Sequence, residues 1–125
     1  PKAEIVCRGG SVGVLYFGTT SLPIQEALDK LAVRGISLDT CRVRAFPFGD
    51  GVEAFVAEHD LIFVVEQNRD GQMRTLLINE LQTNPAKLIP ILYFAGLSIS
   101  ADFIDTHISA YYEEHKLARL SEVKS

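Results

Sequence analysis

One apolar run constrains the fold of this chain more than any other segment. Residues 61–65, Leu-Ile-Phe-Val-Val, contain no polar side chain and are followed at once by the polar residues 66–72. Such a run is typical of a strand buried on both faces, as in a parallel sheet covered by helices. Ligands and partners of open α/β sheets meet the chain beyond the carboxyl ends of the strands. Residues 66–72 are therefore where we expect function.

A second strand-and-helix unit precedes this run. Residues 12–17 are apolar, and the residues after them repeat at the spacing of a helix that lays one stripe on a sheet: Ile24, Ala27, Leu28, Leu31 and Ala32. Gly35 follows as a left-handed helix stop. The unit predicts a strand, a helix and a turn, which is the repeating element of a parallel sheet.

The remaining patterns continue the alternation. Strands are predicted at 38–46 and 88–94, and helices around 52–56, 73–81 and 101–116. Pro90 lacks the N–H that a sheet ladder needs, which places the last strand at an edge of the sheet. The chain is thus predicted to be an α/β three-layer sandwich with a small, mostly parallel sheet of four strands.

Composition indicates one domain and excludes some partners. A chain of 125 residues with 47% hydrophobic content can bury one core, which we assign to residues 11–116, with 1–10 as the remnant of a linker from a longer chain and 117–125 as a polar tail. The net charge of -4 and the scattered basic residues argue against nucleic acid. No apolar stretch approaches the ~20 residues of a membrane span.

The two cysteines point to a reducing compartment. Cys7 and Cys41 lie at unrelated positions and make no disulfide framework, so we expect a cytoplasmic protein. Neither has a second Cys or a His at metal-ligand spacing, and no metal site is predicted. Cys41 is interpreted as a small buried hydrophobic residue.

Several segments together resemble a known family. These are Val64-Val65-Glu66-Gln67-Asn68-x-x-Gly71-Gln72 before a helix, Phe17-Gly18 at the end of a strand, and residues 93–97, Tyr-Phe-Ala-Gly-Leu. They resemble the carboxyl-terminal part of the α subunit of 2-oxoacid:ferredoxin oxidoreductases, most closely those of the 2-oxoglutarate type. The corresponding domain in that family looks like the carboxyl-terminal domain of transketolase.

The resemblance implies a role within a larger enzyme. The whole enzyme would convert a 2-oxoacid and coenzyme A to acyl-CoA and CO2, using thiamine diphosphate, magnesium and iron–sulfur clusters, with ferredoxin or flavodoxin as electron acceptor. Its implied partners are a thiamine pyrimidine-binding domain in the same subunit and a β subunit that carries the pyrophosphate-binding domain, in an oligomer. The cofactor domains are absent from these 125 residues. The implied role is therefore a structural and docking domain with no catalytic residue and no activity by itself.

The polar segment after residue 65 has two interpretations. Glu66, Gln67, Asn68, Gly71 and Gln72 form a predicted contact surface for a neighbouring domain or subunit. The same side chains can instead satisfy backbone groups where a strand ends and a helix begins. Glu66 has no His, Cys or second carboxylate beside it in sequence to tune it as a catalytic acid or base.

Three other features of the sequence have both a functional and a plainer structural explanation. The turn Gly18-Thr19-Thr20-Ser21 at a helix start predicts, as the alternative function, a free-standing module that binds an anion or nucleotide. The segment 49–51, Gly-Asp-Gly, with Asn79 thirty positions later resembles a magnesium and diphosphate motif, but Asn79 falls inside a helix pattern. The histidines, His59, His107 and His115, are isolated in sequence and are predicted to lie at the surface or at helix ends.

Overall fold

The computed structural model describes residues 3–17, 21–44, 48–67, 72–93 and 99–117. The strands are β1 Glu4–Val6, β2 Val12–Phe17, β3 Asp39–Val43, β4 Leu61–Gln67 and β5 Leu88–Tyr93. The helices are α1 Ser21–Val33, α2 Asp50–Glu58, α3 Met73–Leu81 and α4 Ala101–Glu114, and a 3-10 turn, Pro85–Lys87, precedes β5. From β2 onward, strands and helices alternate as the sequence predicts.

The five strands form one mixed sheet in the order β1-β3-β2-β4-β5. The pairs β3–β2, β2–β4 and β4–β5 are parallel, and β1 is antiparallel to β3. The sequence prediction lacked β1 and assigned residues 1–10 to a linker. In the structure Ile5 pairs with Cys41, so part of that segment is an edge strand of the sheet.

Two apolar clusters lie on the two faces of the sheet and make the three predicted layers. One joins α1 and α4 to Val14, Phe63 and Ile91 of the sheet. The other joins α2 and α3 to Leu15 and Val64. Since successive strand residues point to opposite faces, the central strands β2 and β4 supply both clusters.

The helix α1 shows how the sequence pattern becomes packing. Ile24, Ala27, Leu28 and Leu31 are buried as predicted, whereas Ala32 is exposed because it lies outside the stripe that faces the sheet. The helix ends at Gly35, whose φ is +82°, and the Ile36 N–H donates to the Leu31 carbonyl at 3.0 Å. This is the left-handed stop that a glycine permits.

The helices α1 and α4 are also joined by ion pairs. Lys30 contacts Asp102 at the surface, and Arg34 donates to Asp105 at 2.6 Å. Asp105 is buried and also accepts the hydroxyl hydrogen of Ser109 at 3.1 Å, so its charge is compensated. Among the residues that the structure describes, no helix combines the length and the apolar content needed to cross a bilayer.

The last strand lies at the edge of the sheet, as Pro90 predicts. Arg74 of α3 covers part of that edge, since its Nε donates to the Leu88 carbonyl at 2.8 Å and its Nη2 to the Pro85 carbonyl at 2.9 Å. Leu88 and Pro90 are two residues apart and face the same side of the ladder. The missing N–H of Pro90 therefore faces away from β4, where no strand needs it.

Candidate functional site

At the carboxyl end of the sheet, where the parallel strands finish, Phe17, Glu66 and Leu92 occupy neighbouring positions. Glu66 is paired in register with Leu92, and Phe17 and Glu66 directly follow the paired residues Tyr16 and Val65. All three project on the face that α2 and α3 cover. Phe17 is 40% exposed and Leu92 is 41% exposed, while Glu66 between them is only 6% exposed.

The Glu66 carboxylate is bound by the first residues of α3. Its Oε1 accepts the backbone N–H of Met73 at 2.8 Å, and its Oε2 accepts that of Arg74 at 3.1 Å. A helix leaves its first N–H groups without partners inside the helix, and its N-terminus favours negative charge. Both oxygens are used in this way, so Glu66 joins the end of β4 to the start of α3. Its geometry matches the structural interpretation of this residue.

The other residues predicted at this end are described only in part. Gln67 is the last residue of β4, and Gln72 precedes α3, exposed and without a side-chain hydrogen bond to cap it. Asn68 and Gly71 lie outside the described residues. Ser21 begins α1, and the rest of the predicted anion turn, 18–20, also lies outside them. The contact surface and the anion turn therefore stay predictions.

At the opposite, amino end of the sheet the structure reveals a buried polar pair. Asp39 begins β3, and His59 follows the last residue of α2; the two side chains are 4% and 3% exposed. The His59 Nε2 lies 2.7 Å from the Asp39 Oδ2. His59 lies at a helix end, one of the two predicted places, and it is buried rather than at the surface. His107 and His115 are exposed.

Every polar atom of this pair has a partner. The His59 Nδ1 lies 2.6 Å from the Phe55 carbonyl oxygen. The Asp39 Oδ1 accepts the backbone N–H of Arg8 and makes a longer contact of 3.4 Å with that of Gly10. Burial raises the pKa of Asp39, but the hydrogen bonds from Arg8, His59 and Gly10 outweigh it, and the net pKa is lowered.

The packing around His59 depends on a glycine in β2. A Cβ at Gly13 would stand 2.6 Å from the Phe55 Cζ and 3.4 Å from the His59 Cδ2. The rings of Phe55 and His59 lie with centroids 4.2 Å apart. Since both side chains are buried, only a residue without a side chain lets α2 approach the sheet this closely. Nothing in the sequence around Gly13 identified this contact.

The described residues do not supply the donors for a metal ion or an iron–sulfur cluster. Within the described ranges, no three His, Cys, Asp or Glu side chains group closely enough to hold a metal. Cys7 is exposed and Cys41 is buried, both free, whereas a cluster takes four thiolates. Burial raises the pKa of the Cys41 thiol to about 12. Asp50 begins α2 and Asn79 lies on the exposed side of α3, inside the helix as predicted.

The fold and the carboxyl end of the sheet define a class: a small α/β domain that presents a structural acid, Glu66, between two exposed apolar residues. No family model matches the chain. A sequence comparison finds 39% identity over 69 residues with the α subunit of 2-oxoacid:ferredoxin oxidoreductase 2 from Aeropyrum pernix. The match covers 54% of this chain and 11% of that protein, so the chain spans about a tenth of this curated relative.

Solved structures give the same result for the fold. A 2-oxoglutarate:ferredoxin oxidoreductase from Magnetococcus marinus, solved with 2-oxoglutarate, coenzyme A and succinyl-CoA bound, aligns with 88% of this chain and 19% of its own at a TM-score of 0.75 and 23% identity. The α chain of a probable 2-oxoacid ferredoxin oxidoreductase from Thermoplasma acidophilum aligns with 90% of this chain and 97% of its own, with a TM-score of 0.56 and 20% identity. The resemblance and the predicted fold class are confirmed.

Proposed function

We propose that this chain is a non-catalytic docking and scaffolding domain in the α subunit of a thiamine-diphosphate-dependent 2-oxoacid:ferredoxin oxidoreductase. The observation that carries the proposal is the 39% identity over 69 residues to a protein of which the match covers only 11%. A domain that makes up a small part of such a subunit serves the enzyme through contacts with the rest of it.

The carboxyl end of the sheet supports this role. Both oxygens of Glu66 accept backbone N–H groups of α3, which gives this carboxylate a structural role. Phe17 and Leu92, on either side of it, leave about two fifths of their surface in water. An aromatic and an aliphatic side chain exposed on either side of a buried polar one supply the apolar part that contact surfaces between domains contain.

The whole enzyme's chemistry belongs elsewhere in this proposal. Thiamine diphosphate and magnesium would be held between the pyrimidine-binding domain of the same subunit and a β subunit, and the iron–sulfur clusters by chains with enough cysteines. Together they would convert a 2-oxoacid and coenzyme A to acyl-CoA and CO2 and pass electrons to ferredoxin or flavodoxin. We place this oligomeric enzyme in the cytoplasm, in keeping with the two free cysteines.

The experiment uses the complete subunit that contains this chain, expressed with its partner subunits. Replacing Phe17→Ser together with Leu92→Ser should lower recovery of the assembled enzyme and its 2-oxoacid-dependent reduction of a viologen dye. The control is Val33→Ser, since Val33 is 88% exposed on α1 and away from this end of the sheet. Unchanged assembly in the double variant would contradict the docking surface.

A calorimetric titration separates this role from the alternative of an anion- or nucleotide-binding module. The chain of 125 residues is titrated with thiamine diphosphate, coenzyme A and 2-oxoglutarate in turn. The proposal expects no heat of binding from any of them. Micromolar binding of one of these ligands to the chain alone would favour the binding module over the scaffold.

A further inference from the structure

The buried pair of Asp39 and His59 connects three parts of the fold at the amino end of the sheet. Asp39 is the first residue of β3, and His59 caps the carboxyl end of α2. Arg8 and Gly10, whose N–H groups contact the Asp39 carboxylate, lie in the connection between β1 and β2. The pair thus holds the segment that leads out of the edge strand.

The contacts of the pair fix how many protons it carries. The Phe55 oxygen is a carbonyl that can only accept, so the His59 Nδ1 must donate to it. The Asp39 Oδ1 receives two N–H groups, which suits an ionised carboxylate. A neutral ring would then place an Nε2 lone pair 2.7 Å from the lone pairs of Oδ2. The contact is attractive only when one further proton lies between these two atoms.

From this proton count we propose that the Asp39–His59 pair is a proton-dependent latch that holds the connection between β1 and β2 against the body of the domain. With the proton present, an imidazolium and a carboxylate neutralise each other in a nearly water-free site. When rising pH removes the proton, the two side chains repel and Asp39 loses its fixed position. Arg8 and Gly10 then lose their acceptor, and β1 is released from β3.

The charged groups around the pair lie on each element that packs against it. Glu58 and Asp60 stand on either side of His59 in the chain, and both are exposed. Lys87 lines the same shallow depression as His59 and Asp60, from the 3-10 turn. Arg8 and Cys7 are exposed on the β1–β2 side. Lys87 is half-buried and water screens the other, exposed groups, whereas Asp39 and His59 interact in a buried site.

The structure offers a matched control for His59. The His107 Nδ1 lies 2.9 Å from the Phe103 carbonyl four residues earlier, and the two rings are 4.1 Å apart at 36°. The corresponding His59 and Phe55 rings are 4.2 Å apart at the same angle. His107 is exposed, and no carboxylate among the described residues contacts it as Asp39 contacts His59. His107 therefore has the same backbone and ring contacts as His59 but lacks the contact with Asp39.

The test is a pH titration of this chain by NMR, with 15N shifts of the histidine rings and hydrogen-exchange protection of the amides recorded together. We expect both His59 nitrogens to carry protons in every condition in which the Arg8 and Gly10 amides are protected. As the second His59 proton is lost, protection at Arg8 and Gly10 should fall by about ten- to a hundredfold, the range that corresponds to a hydrogen bond to a charged group. Protection at Val14 and Val64 in the central strands should stay constant.

Two variants complete the test. His59→Gln should lower protection at Arg8 and Gly10 at every pH, and His107→Gln should leave it unchanged. If His59→Gln does not fold, the titration of the wild-type chain decides alone. The latch is refuted if the His59 ring holds a single proton while Arg8 and Gly10 remain protected. It is also refuted if their protection does not change when the ring loses its second proton.

Discussion

The two ends of the sheet each contain a buried carboxylate, but they use it differently. Glu66 at the carboxyl end accepts two backbone N–H groups from one helix, and exposed apolar residues lie on both sides of it. Asp39 at the amino end accepts backbone N–H groups and contacts an imidazole in a closed site. Glu66 holds the start of α3 at an exposed end of the sheet, whereas Asp39 holds the connection between β1 and β2 from a buried position.

This difference explains why the same residue type has different consequences at the two ends. A carboxylate at a helix start is stabilised by N–H groups and the helix dipole in any protonation state of its neighbours. A carboxylate that faces an imidazole depends on the proton between them. Changes at the carboxyl end should therefore affect stability independently of histidine titration, while changes at the amino end should be linked to pH. The following variants test this contrast.

The largest effect is expected for Gly13→Ala at the amino end. The added Cβ would overlap the Phe55 ring, whose nearest carbons stand at 2.6 and 2.8 Å. Phe55 is 2% exposed, and its ring must shift to admit the Cβ, so we expect a loss of about 3 kcal/mol, the upper part of the usual range for overpacking. The measurement is the urea concentration at the midpoint of unfolding, provided that the dependence of the unfolding free energy on urea is the same as in the wild type.

The control for this variant is Gly49→Ala, since a Cβ there would meet nothing within 4 Å. Its backbone φ of -88° suits any residue, and we expect a change within about 0.5 kcal/mol. If both alanine variants have equal stability, the close approach of α2 to β2 is not what requires a glycine at position 13.

The next effect is the acid sensitivity of the amino end. The lowered pKa of Asp39 means that its ionised form stabilises the fold above the unfolded-state pKa of about 3.9, and that this contribution is lost as the pH falls through the folded-state pKa. Asp39→Asn should lower the free energy of unfolding by about 1–3 kcal/mol at neutral pH. It should also make that free energy depend less on pH below about pH 4. Urea unfolding between pH 2 and 7 measures both.

The complementary variant at the carboxyl end is Glu66→Ala. It leaves the N–H groups of Met73 and Arg74 without their acceptor, and Met73 is buried, so a loss of about 1–2 kcal/mol is expected. Glu80→Ala on the exposed side of the same helix is the control and should change little. The contrast between the two ends of the sheet is contradicted if Glu66→Ala also lowers amide protection at Arg8 and Gly10, which lie at the amino end.

Local patterns in the sequence predicted most of the fold. The apolar run in β4, the stripe of α1 and the proline in β5 each act through neighbouring residues, and each led to the correct element. Ala32 was misassigned because a position eight residues along a helix can fall beside the stripe. The strand β1 was missed because it has only three residues and pairs with a strand more than thirty positions later.

Of the two candidate sites, the sequence likewise indicated the one that local pattern forms and not the one that distant residues form. Glu66 could be singled out because it ends an apolar run and its partners are seven and eight residues away. The pair at the amino end could not, since His59 and Asp39 are twenty residues apart and belong to different elements. Only the crossing from β3 through α2 brings them together. An isolated histidine in a sequence gives no sign of such a partner.

The smallest effect is expected for Glu4→Gln, at the opposite end of β1 from the latch. The Glu4 carboxylate pairs with Arg42 at 3.2 Å and with Arg44, but it is 52% exposed. Such surface pairs contribute roughly 0–1 kcal/mol and weaken with salt, so we expect a loss of about 0.5 kcal/mol at low ionic strength and none in high salt. Hydrogen exchange at Ile5 and Val6 is the measurement. A release of β1 in Glu4→Gln as large as that in Asp39→Asn would show that surface ion pairs, and not the buried latch, hold this strand.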